Sequence, residues 1–345
     1  MFYLAACSGR GFVSHYDTLL SELPHLTIIK GGSGCGKSTF MRKISETARG
    51  HGLDVSLILC SSDPDSLDAV ILPSLGVGFV DGTAPHVLEP RLCGGRANYL
   101  NFGAFYDREA MKPNEEEIFA VQAQNRAQYP MVTACLQAAD SLLDCVRHRT
   151  ADASYDEEMQ AIAQCLALST LQPRGTKGMC IPRFLTAFTP KGLKFCTQTP
   201  AALCSRVYVL KDNYLLAPRL LSALKDKALE LGHECFACQS PLSPDGRPMH
   251  LLIPSADVAF VSESRDFVYD GPCFCRIDLD STLSQKLRQE LEYCCKTVSS
   301  LCYQAVAHLR EAKLLHDRIE QLCRPFVDFS AVDALTQDTL RDLFG

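Results

Sequence analysis

Residues 26–39 read Leu26-Thr27-Ile28-Ile29-Lys30-Gly31-Gly32-Ser33-Gly34-Cys35-Gly36-Lys37-Ser38-Thr39. A short apolar stretch typical of a strand runs directly into the pattern G-x-x-x-x-G-K-S/T, which characterises loops that bind nucleotide phosphates. Because glycines adopt backbone angles that are closed to other residues, the N–H groups of such a loop turn inward around phosphate oxygens. We therefore predict that this glycine-rich loop holds phosphates, with the binding residues Gly31, Gly32, Ser33, Gly34, Cys35, Gly36, Lys37, Ser38 and Thr39.

Two side chains of the glycine-rich loop have predicted roles of their own. The ammonium of Lys37 stands at the start of the next helix and can reach the outer phosphates, where the helix dipole adds positive charge. The hydroxyl of Ser38 would be a ligand of Mg²⁺. Apolar residues at Phe40, Met41, Ile44 and Ala48 predict that helix. The alternative is a glycine-rich turn that binds nothing. Such a turn would not need a strand before it and a helix after it, whereas a phosphate-binding loop does.

A second candidate metal ligand ends the apolar stretch Val77–Asp81. A short apolar strand that ends in a carboxylate has the form of a Walker B element, whose aspartate holds Mg²⁺ through water. The alternative is that Asp81 only caps the turn after it. We favour the metal role and predict Lys37 and Asp81 as catalytic residues. The next residue is Gly82 and not the glutamate that orients the attacking water in many ATPases, so the water-activating residue is not identified.

Other polar residues of the first half of the chain are weaker candidates. Asp63, Asp65, Asp68 and His86 each lie just beyond a predicted strand, at the edge where α/β folds bind ligands. For each one alone, an ordinary loop residue is the more typical interpretation. The same holds for Arg10, which stands in a glycine-containing turn. For Cys35, a redox switch is the alternative, but a small residue at a permissive loop position is more typical.

Composition excludes several classes of protein. Of 345 residues, 34 are Lys or Arg and 40 are Asp or Glu, a net charge of −6 without a long basic run, so there is no strong nucleic-acid signal. No stretch approaches the ~18 apolar residues of a membrane span, and residues 1–7 lack the basic start of a signal peptide. We therefore expect a soluble cytoplasmic protein with no membrane partner.

The 18 cysteines are expected to be reduced, because a chain without an export signal uses them as small buried hydrophobes. Cys235, Cys238, Cys273 and Cys275 could be offered as four zinc ligands. Against this, the first pair falls in a predicted buried strand, and the second pair has one intervening residue where zinc sites use two to four.

The second half of the chain repeats the first at a shift of 181 positions. This shift aligns Lys30 with Lys211, Pro73 with Pro254, Val77 with Val258 and Phe79 with Phe260. The matches are individually weak, but their shared order and near-constant spacing indicate a duplication.

The repeat lacks the features that would bind phosphate. Opposite the glycine-rich loop, residues 211–220 contain no glycine, and Pro218 stands at the position of Lys37. Without the glycines the loop cannot surround a phosphate, and without the lysine it has lost the compensating charge. At the position of Asp81 stands Ser262. We therefore predict a retained scaffold that does not bind ATP in the usual way.

The duplicated layout, the glycine-rich loop, the run at residues 60–68 and the block Asp81-Gly82-Thr83-Ala84-Pro85-His86 together resemble a bacterial family of tandem P-loop ATP-binding proteins. The resemblance covers nearly the whole chain and implies an uncharacterised ATPase. Members of that family carry the loop and the Asp-x-Thr-Ala-Pro-His block in both copies. Here the second copy has Ser262-Glu263-Ser264, which argues against a cycle with two ATP sites.

A long helical arm follows each predicted nucleotide fold. Apolar residues recur every three to four positions from Leu283 to Leu322, without proline or glycine, which allows one long helix or a helical hairpin. In the first half, Asn114 is a predicted N-cap with Glu117 at the capping-box position, and Pro130 is expected to break or kink the helix. We expect the arms to pack on each other or on their own cores; the alternative is a lever or partner-binding surface that ATP turnover moves.

Residues 172–178 contain one proline, two glycines and no apolar residue, and we place the domain boundary there. The predicted domains are a P-loop nucleotide-binding domain with a helical arm at residues 1–172 and a degenerate P-loop-like domain with a helical arm at residues 178–345. The fold class is α/β: two tandem P-loop NTPase-like domains that pack together, each a mainly parallel sheet flanked by helices.

For function, we expect an ATP-binding protein that uses Mg²⁺ and hydrolyses ATP slowly at one site in the first domain. Two alternatives stay open. One is a small-molecule kinase whose acceptor site is shaped by residues 63–68. The other is a non-enzymatic, ATP-gated interaction module whose arms bind a partner. No N-K-x-D motif of guanine-binding proteins follows the loop, which favours adenine. The identity of a protein or small-molecule partner and assembly into a homo-oligomer are left open.

Overall fold

The computed structural model describes residues 1–85, 87–89 and 97–345, and of Asp245 only the backbone. We call residues 1–172 the first half and residues 178–345 the second half. The elements of the first half are β1 (Ala5–Ser8), β2 (Gly11–Ser14), α1 (Asp17–Glu22), β3 (His25–Lys30), α2 (Lys37–Gly50), β4 (Ser56–Leu59), β5 (Leu67–Leu72), β6 (Val77–Asp81), β7 (Ala97–Asn101), α3 (Arg108–Met111), α4 (Glu115–Arg149) and α5 (Ala153–Thr170).

The second half repeats this order after an additional first strand and, among the described residues, without a counterpart of α3. Its elements are β8 (Met179–Arg183), β9 (Thr186–Thr189), β10 (Gly192–Phe195), α6 (Gln198–Leu203), β11 (Arg206–Lys211), α7 (Ala217–Glu230), β12 (Glu234–Ser240), β13 (Ser243–Ile253), β14 (Val258–Glu263), β15 (Cys275–Asp278), α8 (Gln285–Cys323) and α9 (Phe329–Phe344). The hairpin, the short helix and the strand before the loop of each half are displaced by 181 residues, the shift seen in the sequence.

Each half contains one central sheet with helices packed against it, so the predicted α/β class is confirmed at that level. The strand order is β4-β5-β6-β3-β7 in the first half and β15-β11-β14-β13-β12-β8 in the second. Both sheets are mixed, so the expectation of mainly parallel sheets is met only in part: two of four strand pairings are parallel in the first half and three of five in the second, counted over the described residues. In the first half β3 is parallel to β6 and β7, whereas β5 is antiparallel to β4 and β6.

The mixed pairing follows from the lengths of the connections. A parallel crossover needs about a dozen residues or more, usually a helix. Only residues 60–66 join β4 to β5, and only residues 73–76 join β5 to β6. These connections are too short to return the chain to the other end of the sheet, so β5 runs antiparallel to both neighbours.

The two halves share a hydrophobic core. The equivalent residues Tyr3 and Phe184 face each other and exchange two backbone hydrogen bonds of 2.9 Å. Around them a single buried cluster takes side chains from both halves, among them Leu4, Ile28 and Val80 from the first half and Leu185, Val209 and Val261 from the second. The two halves therefore pack together, with equivalent residues paired at their contact.

The two arms form an antiparallel helix pair. Asn125 Nδ2 of α4 donates to Ala312 O of α8 at 2.6 Å, and Glu117 pairs with Arg318 at 2.6 Å. The expectation that the arms pack on each other is confirmed, and the second arm is one continuous helix. Of the break or kink expected at Pro130, the break is wrong, because α4 runs through Pro130 without interruption. Asn114 does stand at the N-cap of α4, but its side chain makes no capping hydrogen bond.

The last helix of each half packs on the other half. Helix α5 lies on α7, where Met159, Ala163 and Leu166 join Leu220 and Leu224 in one buried cluster. Helix α9 lies on α2 in the same way, with Val332 packed in the cluster of Phe40, Met41 and Ile44. The helix after each arm therefore buries its apolar side chains against a helix of the other half.

Two further observations bear on the sequence expectations. Residues 171–178, which contain the predicted linker, form neither helix nor strand. Among residues 1–85, 87–89 and 97–345, no helix has the length and apolar character needed to cross a membrane.

Candidate functional site

The glycine-rich loop joins the end of β3 to the first turn of α2, so the predicted strand before it and helix after it are both confirmed. Strand β3 lies between β6 and β7, both parallel to it. The register pairs Ile29 with Asp81, which brings the end of β6 beside the loop. The loop and Asp81 therefore meet at the carboxyl edge of the parallel strands, where α/β folds bind ligands.

The conformation of the loop requires its glycines. Gly34 and Gly36 have φ angles of 76° and 93°, in the left-handed region that other residues rarely adopt. A Cβ atom on Gly31 would lie 2.8 Å from Cys35 Sγ and 2.8 Å from Phe102 Cβ, which leaves no room for a side chain. The sequence pattern is therefore matched by the backbone geometry that it predicts.

The loop presents backbone donors that the rest of the chain does not use. Gly31 N–H donates to Thr83 Oγ1 at 3.3 Å. Within the described ranges, no acceptor is hydrogen-bonded to the N–H groups of the residues that follow, which include Ser33, Gly34, Gly36, Lys37 and Ser38. A set of adjacent unpaired N–H groups at a helix N-terminus is an anion-binding site, because the dipole and the donors act on the same side.

Lys37 lies across the loop. Its Nζ atom donates to Gly31 O and Gly32 O, each at 2.8 Å, and stands 3.5 Å from Asp81 Oδ2. The Lys37 and Asp81 side chains are 11% and 16% exposed, so this ion pair is well shielded from solvent. The two residues that the sequence singled out as catalytic are thus adjacent in space, although 44 positions separate them.

Asp81 also makes the turn-capping contact that was the alternative to its metal role. Its Oδ1 atom accepts the N–H of Thr83 at 2.8 Å, while Oδ2 faces Lys37. The hydroxyl of Thr83 in turn donates to Gly31 O at 2.9 Å. Ser38 Oγ accepts the N–H of Leu67 at 2.9 Å. Each candidate metal ligand is therefore fixed by one backbone contact that leaves lone pairs for a cation.

The weaker candidates are used in other contacts. Asp63 lies 3.5 Å from Lys313, and Asp65 pairs with Lys191 at 2.6 Å, which lowers the pKa of its carboxyl. Asp68 does not stand beyond a strand as expected; it is the second residue of β5, is buried, and accepts the hydroxyl of Tyr16 at 2.8 Å. The short loop after β4 starts β5 earlier than the sequence suggested. His86 lies outside the described residues.

Three contacts near the loop were missed in the sequence. Tyr106 donates its hydroxyl to Ser33 O at 2.7 Å. From the second half, the backbone oxygen of Glu320 would lie 3.4 Å from a Cβ atom on Gly34, and Val332 would lie 3.4 Å from one on Gly36. No spacing rule connects these positions to the loop, because they reach it through the arms and the exchanged helix.

The environment of two groups beside the loop shifts their protonation. Burial raises the pKa of Cys35, whose thiol donates to Gly32 O at 3.1 Å. A raised pKa disfavours the thiolate, so the redox-switch alternative gains no support. The hydrogen bond from His316 lowers the pKa of Glu320, 3.5 Å away. Glu320 therefore stands ionised at the end of α8.

The second half fills the equivalent space with its own carboxylate. Asp212, at the position of Gly31, accepts the N–H groups of Tyr214, Leu216 and Ala217 at 3.2, 2.9 and 2.8 Å. Its side chain is buried, which raises its pKa to about 6. Donors that are unpaired at the first loop are thus satisfied within the chain at the second.

The described residues contain no cluster of three or more His, Cys, Asp or Glu side chains that could hold a metal ion. Cys235 and Cys238 are buried in β12, as predicted, whereas Cys273 and Cys275 are exposed. The zinc alternative therefore has no support among the cysteines that suggested it.

No protein-family model, curated protein or solved structure matches this chain. The geometry of the loop and its surroundings is therefore what bears on function, and the resemblance to tandem P-loop proteins stays a prediction.

Proposed function

We propose that the first half binds one molecule of ATP with Mg²⁺ at the glycine-rich loop and hydrolyses it slowly. The observation that carries this proposal is the set of unpaired N–H groups of Ser33, Gly34, Gly36, Lys37 and Ser38, which no acceptor of the described residues satisfies. Phosphate oxygens are the ligand that such a set of donors fits. The Lys37 ammonium would exchange the carbonyls of Gly31 and Gly32 for phosphate oxygens.

The residues present fit a magnesium ion. Ser38 and Asp81 would hold it, because each keeps oxygen lone pairs and Asp81 is at the same edge of the sheet as the loop. Bound there, Mg²⁺ would neutralise charge on the phosphates. The slow rate that we propose follows from Gly82, since no carboxylate stands directly after Asp81 to orient the attacking water.

The second half is proposed to bind no ATP. The carboxylate of Asp212 already accepts the N–H groups of the equivalent turn, so a phosphate there would meet a buried acid, and Pro218 stands at the position of Lys37. This supports a single nucleotide site in the chain.

Calorimetry with Mg-ATP tests this proposal. We expect one site in the wild-type protein and a loss of affinity of about a hundredfold in Lys37→Ala, because a charge-assisted contact to phosphate is removed. Lys227→Ala is the matched control, since Lys227 is an exposed lysine of the equivalent helix α7. In Asp81→Asn, added Mg²⁺ should no longer strengthen ATP binding. Two sites, or binding indifferent to Lys37, would contradict the proposal.

One observation favours a second candidate function, an ATP-gated interaction module. The end of α8 and the start of α9 lie against the loop, at Gly34 and Gly36. Nucleotide bound at the loop would therefore bear directly on the arm. The same calorimetric samples separate the two functions: release of phosphate supports an ATPase, and tight binding without release supports a module. A kinase has less support, because Asp63, Asp65 and Asp68 are all occupied in internal contacts.

A further inference from the structure

The second half contains a cavity of about 380 Å³ at the carboxyl ends of β11 and β14. Asp212 and Asn213, which follow β11 as Gly31 and Gly32 follow β3, form part of its wall. The volume lies in the range of small-molecule sites in proteins, about 300–1,000 Å³. The cavity therefore lies at the position in the second half that the glycine-rich loop occupies in the first half. In the second half, the carboxylate of Asp212 fills the turn itself.

Most of the cavity wall is apolar. The hairpin β9–β10, the loops after β12 and β14 and helix α8 contribute side chains that include Phe188, Leu193, Leu242, Phe267, Val298 and Val306. Phe267 stacks on Phe195 with ring centroids 4.4 Å apart, which fixes the orientation of its ring. This wall suits a flat apolar body such as an aromatic ring, because burial of apolar surface is favourable in proportion to its area.

His250 supplies a hydrogen-bond donor inside this wall. The residue is only 2% exposed, and burial lowers its pKa to about 3, so the ring is neutral. Its Nδ1 atom accepts the N–H of Ser262 at 3.1 Å, which places the proton on Nε2. That Nε2–H has no hydrogen-bond acceptor within the described part of the chain. An acceptor atom on a ligand would satisfy it.

Among the described residues, the rim of the cavity carries one cation without an acidic partner. Arg265 pairs with Glu292 at 3.0 Å, and Lys191 pairs with Asp65. Arg310 donates Nε–H to Pro190 O at 2.9 Å and has no carboxylate within 4.0 Å among the residues that the structure describes.

The acids of the wall are occupied. Asp266 accepts the hydroxyl of Ser299 at 2.8 Å, and Glu263 is held by Arg276. Asp212 accepts three backbone N–H groups. Among the described residues, Arg310 is therefore the rim cation that no carboxylate pairs with, and Asp266 in turn has no cation within 4.0 Å.

We propose that this cavity binds a small aromatic carboxylate or sulfonate. The ring lies among the apolar side chains, an acceptor atom of the ligand takes the Nε2–H of His250, and the anionic group pairs with Arg310. This site is separate from the glycine-rich loop, so the proposal does not depend on ATP binding in the first half.

The test uses 8-anilinonaphthalene-1-sulfonate, an aromatic sulfonate whose fluorescence rises in apolar surroundings, and the full chain. We expect one dye per chain by equilibrium dialysis. Val298→Trp fills the cavity and should abolish binding, whereas Leu314→Trp, at an exposed position of the same helix, should not. The dye should bind equally well to Lys37→Ala. Unchanged binding by Val298→Trp, or loss of binding in Lys37→Ala, would overturn the assignment to this cavity.

Arg310→Gln tests the anionic group at little cost to the fold, because Arg310 is exposed and loses one hydrogen bond, to Pro190 O. It should weaken dye binding by about tenfold, as expected for a lost charge-assisted contact. The uncharged analogue N-phenyl-1-naphthylamine should bind the wild type and Arg310→Gln with equal affinity. If the substitution weakens both compounds equally, or neither, the proposed class of ligand is wrong.

Discussion

Gly31 and Asp212 occupy equivalent positions, and the difference between them accounts for the contrast between the two loops. At Gly31 there is no room for a side chain, and the N–H groups after it stay unpaired. At Asp212 a carboxylate enters the same turn and accepts three N–H groups from the chain. One residue thus supplies internally the negative charge that the first loop is proposed to take from a nucleotide.

The buried carboxyl of Asp212 should make stability depend on pH. Its folded pKa of about 6 lies above the ordinary value of 3.8, so the folded state holds this proton more tightly. Stability from this group is full below about pH 4 and is lost as the pH rises to about 6. The loss is about 3 kcal/mol at most. Urea denaturation at several pH values measures it as the difference between the wild type and Asp212→Asn.

Subtracting the variant removes the titration of all other groups. We expect the wild type to lose its advantage over Asp212→Asn progressively between pH 4 and pH 6, with no further change up to pH 8. A difference that grows with pH would mean that the backbone donors hold Asp212 ionised, and that burial is not the dominant cause.

The sequence predicted best the backbone conformation of the glycine-rich loop and its place between a strand and a helix. The spacing of the loop residues reflects backbone geometry within one short segment, so no knowledge of distant contacts was needed. Asp81 was predictable for a related reason, since β6 is parallel to β3 and ends at the same edge. Tyr106 and Glu320 were not, because their approach depends on how the arms pack, which no local pattern encodes.

Among the elements, α4 contains a proline where the sequence suggested a break. Pro130 lacks an N–H, so the carbonyl of Arg126 loses its helical hydrogen bond. The helix continues because α4 is held along its length by α8, through buried residues such as Val132 and Leu136 packed on Leu309. Tertiary packing thus outweighs a local cost of about 3 kcal/mol.

Replacing this proline should stabilise the protein. Pro130 is exposed, so Pro130→Ala sacrifices little packing and restores the missing hydrogen bond. We expect an increase of about 1–3 kcal/mol in the free energy of unfolding, measured from urea denaturation. Pro218→Ala is the matched control, since Pro218 lies in the first turn of α7, where proline costs nothing; it should change stability little. Equal effects of the two substitutions would contradict the argument.

The start and direction of strand β5 could not be predicted from the sequence. Its residues are all buried, so it has no alternation of apolar and polar side chains to reveal its boundaries or direction. The run before it was treated as loop up to Asp68, which is in fact the second residue of β5. Only the shortness of the flanking connections decides that it is antiparallel.

At the scale of the whole molecule, the last helix of each half packs on the other half. Helical periodicity predicted amphipathic helices after each central sheet, but it does not specify which surface an apolar face will cover. In the structure α9 covers α2 and α5 covers α7, so each half is completed by the other. The candidate nucleotide site accordingly includes residues from positions 31 to 332, and neither half carries all of it.

This arrangement predicts which residues ATP binding would protect from amide hydrogen exchange. Residues 318–334, at the end of α8 and the start of α9, lie against the glycine-rich loop through Glu320, Phe329 and Val332. Residues 141–157 hold the corresponding place on the second half, where Arg219 pairs with Asp156 at 3.0 Å and Asp212 already fills the turn. Mg-ATP should therefore slow amide hydrogen exchange at residues 318–334 by about tenfold and leave residues 141–157 unchanged. Lys37→Ala should abolish the effect. Equal protection of both segments would mean that ATP stabilises the molecule as a whole, and no protection of the first would separate the arm from the nucleotide site.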